Sequence, residues 1–416
     1  MLSLGIRLEK TFYQEHETAE RRWRYVGSMR RMVWLAAAFC HAQALEPDAL
    51  LAQAMRKIER GFDRQRRFTC DAVIARETYG ARRRLLWTDR VHVDVAVFEG
   101  RQLYSWPGES AFGAASVKEL TGTGASGSGE FGPFAASFLA DSDPASIRHR
   151  RSGALEEFSY EVPLATSHYM IGREATAYQG ALFVDSTSGE LKRMVIHVPR
   201  PPSSSGIERA EIDIKYTSED GGPNLYPSFS VLTLSMGEGS AVNRTTYRGC
   251  RRFTGESTLQ FGTEDNRPHT DATSFAPRIP AGIRIRSTMA TPVDSRTSSA
   301  GDTFEARVAE PVKQGDRTVI PKGALLHGRI TRMEQRYSPS LGVLLQIRFA
   351  AVEFGGVRYP IALAARLNMD AAAPDPGRWV RHLTPASSGV ASIQVFGTDH
   401  LRLAGSAVNI WETVEP

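Results

Sequence analysis

The chain has few cysteines and no long apolar run, and it lacks the common signatures of catalytic and metal sites. Only three cysteines occur among its 416 residues, and it has no stretch of about twenty apolar residues of the kind that forms a transmembrane helix. The motifs G-x-S-x-G, H-E-x-x-H, paired C-x-x-C and the P-loop are missing. The ten histidines are scattered without metal-ligand spacing. The sequence therefore predicts a protein that is not an enzyme, with no catalytic residue, no cofactor and no metal site.

A strong excess of one charge is also missing once the N-terminal region is set apart. The whole chain has 51 Lys and Arg against 46 Asp and Glu, a net charge of +5. Residues 1–44 hold seven of the basic and four of the acidic residues, which leaves 44 basic and 42 acidic residues, a net charge of +2. Proteins that bind nucleic acid usually carry a much larger basic surface. The composition therefore predicts no nucleic-acid partner.

Residues 29–44, MRRMVWLAAAFCHAQA, have the three parts of a secretory signal peptide. Arg30 and Arg31 provide the positive n-region, and residues 33–39 form a short apolar core. The alternative is a buried core helix, because the apolar run is too short to span a bilayer. The signal-peptide interpretation predicts an exported protein, periplasmic or elsewhere in the cell envelope, and peripheral to a membrane at most.

The predicted cleavage site lies in the small-x-small sequence Ala42-Gln43-Ala44, so that cleavage after Ala44 would leave Leu45 as the first mature residue. Residues 1–28 do not resemble an n-region, because they combine several glutamates with an arginine cluster. The sequence leaves three candidate translation starts: Met1, Met29 and Met32.

The cysteines agree with export. Cys40 falls within the predicted leader, and Phe39 occupies the position before it where a lipoprotein signal needs a small residue. Cys70 and Cys250 remain, and an even pair in an oxidising compartment is a candidate disulfide. The alternative is two unrelated buried thiols.

Beyond the leader, hydrophobic periodicity predicts one helix followed by a long series of strands. Apolar side chains at Leu51, Ala54 and Ile58 recur at the helical period within residues 47–62. Alternation of apolar and polar residues, with short connections, then predicts antiparallel strands. The predicted strands of this first unit are 68–78, 85–98, 102–106, 160–162, 169–172, 177–185, 191–198, 207–216, 226–236 and 243–261. A sheet this large must curl, and helices are expected to fill its concave face.

The glycine-rich stretch at residues 121–132, TGTGASGSGEFG, contains a literal G-x-G-x-x-G at Gly122, Gly124 and Gly127. A dinucleotide site needs a buried strand before this motif and a helix after it, within a βαβ unit. Here the preceding residues are polar and the surrounding strands are predicted to be antiparallel. The sequence therefore predicts a flexible flap that leads into a second helix at residues 133–139.

The chain changes character at residues 263–280, which lack periodicity and contain three prolines. The predicted organisation is residues 1–44 as upstream extension and leader, 45–262 as a first β domain with helices, 263–280 as linker, and 281–416 as a smaller β-barrel-like domain. The strands predicted in the second domain are 283–289, 302–308, 324–334, 343–354, 357–364, 392–396 and 401–410. The fold class is thus mainly β: a large curled antiparallel sheet, or half-barrel, with a few helices and a smaller barrel-like domain.

Two resemblances follow from local motifs. The couplet GALFVDSTSGELKRMVI, residues 180–196, together with the leader, helix and meander, resembles the lipoprotein-carrier half-barrel of LolA and LolB-like proteins. The sequence GDTFEARV at 301–308, followed by IPKGALLHG at 320–328, resembles the β-barrel domain of TrbI-type proteins of conjugation and type IV secretion. The first resemblance implies a bacterial envelope protein without a catalytic residue to transfer. The second implies a barrel, while the membrane helix and proline-rich stalk of the channel proteins are missing here.

His92 and Asp94 lie two residues apart on one predicted strand face, where the carboxylate could orient the imidazole, but an exposed polar strand face is the favoured explanation of both residues. Three functions remain. The first is a noncatalytic envelope module that binds a lipid, an acyl chain or a hydrophobic partner segment and docks on an envelope protein. The second is a structural or assembly protein that acts through protein contacts. The third, an envelope hydrolase, has the least support.

Overall fold

A computed structural model describes residues 46–64, 67–98, 101–109, 111–125, 127, 129–218, 225–252, 279–365, 379–382, 389–405 and 408–415. The predicted leader, its cleavage site between Ala44 and Leu45, Cys40 and all but the last two residues of the predicted linker lie outside these residues. No helix in the described ranges has the length and apolar character needed to cross a membrane.

Three helices and twelve strands make up the described part of the first unit. The helices are α1 (Pro47–Arg64), α2 (Val117–Thr121) and α3 (Pro133–Asp141). The strands are β1 (Arg67–Tyr79), β2 (Leu85–Phe98), β3 (Arg101–Ser105), β4 (Arg148–Ser152), β5 (Leu155–Val162), β6 (Met170–Ile171), β7 (Glu174–Ala175), β8 (Tyr178–Asp185), β9 (Leu191–Val198), β10 (Arg209–Ser218), β11 (Leu225–Met236) and β12 (Gly239–Arg252).

Thirteen strands make up the described part of the second unit. They are β13 (Arg284–Met289), β14 (Val293–Asp294), β15 (Thr303–Val308), β16 (Val312–Gln314), β17 (Arg317–Ile320), β18 (Leu325–Arg336), β19 (Gly342–Phe354), β20 (Val357–Pro360), β21 (Leu363–Ala365), β22 (Trp379–His382), β23 (Val390–Phe396), β24 (Arg402–Leu403) and β25 (Val408–Thr413).

Ten strands of the first unit form one antiparallel sheet in the order β4-β5-β8-β9-β10-β11-β12-β1-β2-β3. Most neighbours in the sheet are also neighbours in sequence, as expected where connections are short. The predicted fold class, a mainly β protein with a large antiparallel sheet and a few helices, is confirmed.

The helices cover one face of this sheet because their apolar side chains recur on one side. Leu50, Ala54 and Ile58 of α1 are buried, as is Phe138 of α3. They share one core with the inward-facing residues of β5 and β8 to β11. The polar edge of α1 is fixed to the β8–β9 hairpin, where Gln53 donates a hydrogen bond to the Ser188 carbonyl at 3.0 Å. The helices therefore fill the concave face, as the amphipathic pattern predicted.

The β8–β9 hairpin shows why the 180–196 couplet has its sequence. The Asp185 carboxylate accepts hydrogen bonds from the backbone N–H groups of Thr187 and Ser188, at 3.1 and 2.7 Å. Gly189 then takes a φ of +65°, which an L-residue adopts only with strain. An aspartate at the strand end and a glycine four residues later therefore close the turn and set its register.

Several strand predictions differ from the structure. Strands β7, β14, β16, β17 and β22 were not predicted, the predicted strand 357–364 is two strands, β20 and β21, and the strand predicted at 160–162 begins earlier, as β5. Strand β4 was not predicted, because its sequence RHRRS has no apolar alternation; its side chains are mostly exposed, and Arg150 pairs with Glu157 of β5 at 2.7 Å. Charged residues on an edge strand discourage pairing with other chains. The single strand predicted at residues 401–410 is instead two strands, β24 and β25, interrupted near Gly405, whose φ is +62°.

The second unit curls around its own core. Strands β21-β25-β13-β15-β18-β19-β23-β22 pair antiparallel in that order. Buried Phe304, Phe349 and Trp411 pack edge to face in the middle, and the Trp411 indole N–H donates to Ser287 Oγ at 2.8 Å. Gly328 is required here, because a Cβ at that position would lie 2.3 Å from the Phe304 ring.

The two units are joined by sheet pairing. The end of β2 beyond β3 pairs with β18, so that Trp87, Thr88 and Asp89 lie opposite Arg336, Gln335 and Glu334. A parallel bridge between Val91 and Ala300 adds two backbone hydrogen bonds, His92 N–H to Ala300 O at 2.7 Å and Ala300 N–H to Arg90 O at 2.9 Å. Nineteen of the described strands, from both units, therefore belong to one continuous sheet, while β6–β7, β14–β24 and β16–β17 form separate two-stranded sheets.

Candidate functional site

A small cavity lies inside the half-barrel, between its wall and the glycine-rich segment, defined here as the described residues 122–125, 127 and 129–132. Its volume is about 20 Å³, which is room for a single water molecule. Its lining is apolar on β2 and β11, mixed on β1, where Arg76 adjoins two apolar side chains, and polar on β12 and in part of the segment. The lining residues are Ala72, Ile74, Arg76, Val95, Tyr104, Val117, Ala125, Gly127, Glu130, Leu232, Asn243, Thr245 and Tyr247.

The glycine-rich segment covers this cavity and is held there by side chains of the wall. Arg76 Nη1 donates to the Thr123 carbonyl at 2.7 Å, and Asn243 Nδ2 donates to the Ala125 carbonyl at 2.9 Å. The Gly129 N–H donates to Gln102 Oε1. Gly124 has a φ of +90°, and a Cβ there would lie 2.4 Å from Arg76 Nη1. The segment predicted to be a flexible flap therefore packs closely on the wall in the structure.

The literal G-x-G-x-x-G within this segment lacks the context of a dinucleotide site. It follows the five-residue helix α2 and leads into α3, whereas the Rossmann motif connects a buried strand to a helix. The antiparallel surroundings agree with the sequence argument against a nucleotide cofactor.

Glu130 brings a carboxyl group into the wall of the cavity. Its carbonyl oxygen accepts a hydrogen bond from the Tyr216 hydroxyl at 3.0 Å, and Oε1 accepts one from Ser230 Oγ at 3.5 Å. Oε2 is buried and has no hydrogen-bond partner in the described part of the chain. Burial raises the pKa of Glu130, and this effect is only partly offset by its own backbone N–H and by the polar side chains of Gln102, Tyr247 and Ser230.

A buried ionic network connects the segment, the wall and the second unit. Arg76, 1% exposed, forms a two-point ion pair with Asp89, which accepts from Nε at 2.7 Å and also from Nη2. On the other side of the segment, Thr123 Oγ1 donates to Glu334 Oε1 at 3.3 Å. Glu334 is buried between Arg332 and Arg336 of its own strand, β18. Thr123 thus contacts both the wall and the second unit.

His92 forms a second ionic contact between the units. Its Nδ1 lies 2.9 Å from Asp302 Oδ1, and its Nε2 lies 2.9 Å from Asp71 Oδ2. Since carboxylates accept hydrogen bonds, both ring nitrogens donate and the imidazole is cationic. The hydrogen bond to Asp302, with the charge of both aspartates, raises the pKa of His92 to about 9. With both nitrogens engaged and the ring cationic, His92 is not set up as a general base.

Asp94 is not a partner of the His92 ring, whose two nitrogens contact Asp302 and Asp71; the sequence pattern likewise disfavours a pairing of His92 with Asp94. Asp94 lies on the same strand but accepts a hydrogen bond from the Gly108 N–H at 3.3 Å. The actual partners, Asp71 and Asp302, come from another strand and from the other unit. Asp302 lies 210 positions away in sequence, and no local pattern could have identified it.

A disulfide joins Cys70 of β1 to Cys250 of β12, with the Cα atoms 4.1 Å apart. The register of the two strands shifts by one residue at this point, because Thr69 faces Arg251 while Asp71 faces Arg248. Gly249, with a φ of +55°, supplies the extra residue of this bulge. The sequence suggested the pairing of the cysteines but gave no sign of the bulge beside them.

A further histidine contact fixes the end of α3. The Asp141 carboxylate is buried and accepts hydrogen bonds from His168 Nδ1, from the His168 backbone N–H at 2.8 Å and from the Tyr178 hydroxyl at 2.9 Å. The imidazole itself is 73% exposed. Asp141 thus anchors the loop before β6 to the helix. No group of three His, Cys, Asp or Glu residues suited to a metal ion occurs within the described ranges.

The chain matches no protein-family model and no curated protein sequence. Among solved structures, it is similar to a LolA superfamily protein from Nitrosomonas europaea, at 12% identity and a TM-score of 0.28, over 48% of this chain and 94% of that one. It is also similar to a DUF1329 family protein from Desulfovibrio piger, at 11% identity and a TM-score of 0.26, over 52% of this chain and 96% of that one.

A third similar structure is an outer membrane lipoprotein-sorting protein domain from Vibrio parahaemolyticus, at 10% identity and a TM-score of 0.26, over 52% of this chain and 94% of that one. Similarities at these TM-scores carry no argument on function. Each match covers about half of this chain. The TrbI-type resemblance of the second unit stays a prediction.

Proposed function

We propose that this protein is a noncatalytic module of the cell envelope that holds an acyl chain or a hydrophobic partner segment inside the half-barrel. The observation that supports this proposal is the cavity with apolar walls behind a cover made largely of glycine. Ile74, Val95 and Leu232 provide apolar wall side chains on three different strands. An apolar concavity with a few polar groups is typical of sites for small hydrophobic ligands.

The cavity must enlarge before it can hold such a ligand. It measures about 20 Å³, whereas ligand pockets usually enclose about 300 to 1,000 Å³. The helices and the Phe131 end of the glycine-rich segment are fixed by apolar cores. The first part of the segment, residues 123–125, is the part of the boundary whose displacement would open the cavity, because side-chain hydrogen bonds from Arg76 and Asn243 hold it. A hydrogen bond of this kind contributes about 1 kcal/mol net.

Lipid analysis of the purified protein tests this function. The full chain is exported into an oxidising compartment and purified without detergent, and organic extracts are analysed by mass spectrometry. We expect a lipid in stoichiometric amount, or stoichiometric binding of a fluorescent fatty-acid probe. Leu232→Trp, which fills the cavity, should abolish probe binding, while Met170→Trp at an exposed position should not. Absence of both lipid and probe binding in the wild type would refute the proposal.

The second candidate is a structural or assembly protein, and the continuity of the sheet between the units favours it. Pairing of β2 with β18 and the buried Glu334 network make the two units present a common surface. In this case the half-barrel is simply packed, the cavity holds one water molecule, and the protein acts through contacts with an envelope partner. The same lipid experiment distinguishes the two functions, since an assembly protein would bind neither lipid nor probe.

A further inference from the structure

A buried carboxyl group, that of Glu130, is an unusual part of the lining of a cavity proposed to hold a hydrophobic chain. Glu130 is only 5% exposed, and its Oε2 has no hydrogen-bond partner in the part of the chain that the structure describes. A buried polar atom without a partner destabilises the folded protein, because it has lost its hydrogen bonds to water. Such a cost is often retained where the group contacts a ligand.

The charges around the cavity leave Glu130 without a counter-ion. Arg76 also lines the cavity, but its guanidinium is neutralised by the two-point ion pair with Asp89 and is saturated by Thr121 and Thr123. The other polar side chains that line the cavity are uncharged: Tyr104, Asn243, Thr245 and Tyr247. A ligand that enters the cavity therefore meets one ionisable group, the Glu130 carboxyl, that has no counter-ion among the lining residues.

We propose that the cavity takes amphiphiles whose polar head is an ammonium group, with Glu130 as the counter-charge. This inference rests on the proposed function and names the chemistry of the ligand for the same site. An ammonium head provides the charge that the ionised carboxylate lacks and donates hydrogen bonds to Oε2. The tyrosine side chains of Tyr104 and Tyr247 in the same lining are favourable neighbours of a cation. The tail lies along the apolar wall.

The same geometry disfavours anionic heads. A carboxylate or phosphate head would place a negative charge beside a carboxyl group in a site of low dielectric constant, which keeps Glu130 protonated and leaves the head without a counter-ion. An ammonium head has the opposite effect. When it binds, Glu130 ionises and its proton passes to the solvent, so that up to one proton is released for each ligand bound.

Three probes of equal chain length test the inference: dodecylammonium, dodecanol and dodecanoate. Each is used below its micelle concentration to displace a neutral fluorescent probe from the full-length exported protein. We expect dodecylammonium to bind about tenfold more tightly than dodecanoate, which corresponds to about 1.4 kcal/mol. Calorimetry in buffers of different ionisation enthalpy should show proton release with dodecylammonium alone.

Two variants at Glu130 and one control make the test specific. Glu130→Gln should remove the preference for dodecylammonium and the proton release, Glu130→Asp should retain both, and Glu161→Gln at an exposed position should change neither. Equal binding of dodecylammonium and dodecanoate overturns the inference, and so does a preference for dodecylammonium that survives in Glu130→Gln. In either case, binding of dodecanol still supports the proposed function. If none of the three probes binds, the proposed function fails and the inference fails with it. Proton release in the wild type decides the matter if Glu130→Gln does not fold.

Discussion

Replacing His92 by glutamine should destabilise the protein in neutral solution but much less in alkaline solution. The pKa of His92 is raised from 6.5 to about 9, which sets an upper limit of about 3 kcal/mol at 1.36 kcal/mol per pKa unit. The partner carboxylates of Asp71 and Asp302 are 46% and 34% exposed, so solvent screening reduces this contribution to about 1 to 2 kcal/mol. Because the folded pKa lies above the unfolded value, the stabilisation is complete below pH 6.5 and is lost as the pH rises through 9.

Urea unfolding of the wild type and His92→Gln at about pH 6 and pH 10 measures this effect, since titrations common to both proteins cancel in the difference. We expect the variant to be about 1 to 2 kcal/mol less stable at pH 6, with the difference closing towards pH 10. Asp302→Asn should reproduce the pattern, because it removes the carboxylate whose hydrogen bond contributes most to the raised pKa of His92. A difference of the same size at both pH values would refute the assignment of a cationic His92 between the units.

The remaining predictions concern the disulfide and the contact between the units. Replacement of both Cys70 and Cys250 by alanine should lower the free energy of unfolding by up to about 5 kcal/mol, because the disulfide closes a loop of 180 residues. Urea denaturation measures this free energy, and a loss below about 1 kcal/mol would contradict the entropic estimate. Gly301→Ala should cost at least about 2 kcal/mol, since its φ is +104° and a Cβ would lie 2.0 Å from the His92 carbonyl. Gly315→Ala, with a φ of +60° and nothing within 4 Å, is the matched control and should cost about 1 kcal/mol. Glu334→Gln should lower the urea midpoint by leaving two arginines of β18 without a buried counter-charge; an unchanged midpoint would show that the network contributes nothing net.

Local patterns predicted the parts of the fold that depend on local forces. Helix α1 follows from the spacing of Leu50, Ala54 and Ile58, and the β8–β9 turn follows from an aspartate and a glycine at fixed positions. Buried and less buried residues alternate along most of β1, and along β2 from Val91 to Val95, because one face of each strand is buried. In each case the residues that determine the local structure lie within about ten positions of one another, so the pattern can be recognised in the sequence alone.

The contacts between the units could not be predicted in this way. His92 and Asp302 are 210 positions apart, and Thr123 and Glu334 are 211 positions apart. Periodicity indicates which face of a strand is buried but not which distant strand lies beside it. Glu130 was not singled out either, because a glutamate beside glycines is typical of an exposed loop, and only the fold shows that this one is buried.

The cavity and the contact between the units are linked through the glycine-rich segment. Thr123 accepts a hydrogen bond from Arg76 of the wall and donates one to Glu334 of the second unit. Displacement of the segment therefore breaks a contact that also joins the units. By thermodynamic linkage, a ligand that displaces the segment weakens the contact between the units, and a partner that separates the units makes the cavity easier to enter by the same factor. Ligand binding and protein assembly then both depend on the same equilibrium between the packed and the displaced glycine-rich segment. A measured effect of a ligand on partner binding, or of a partner on ligand binding, would connect the two candidate functions.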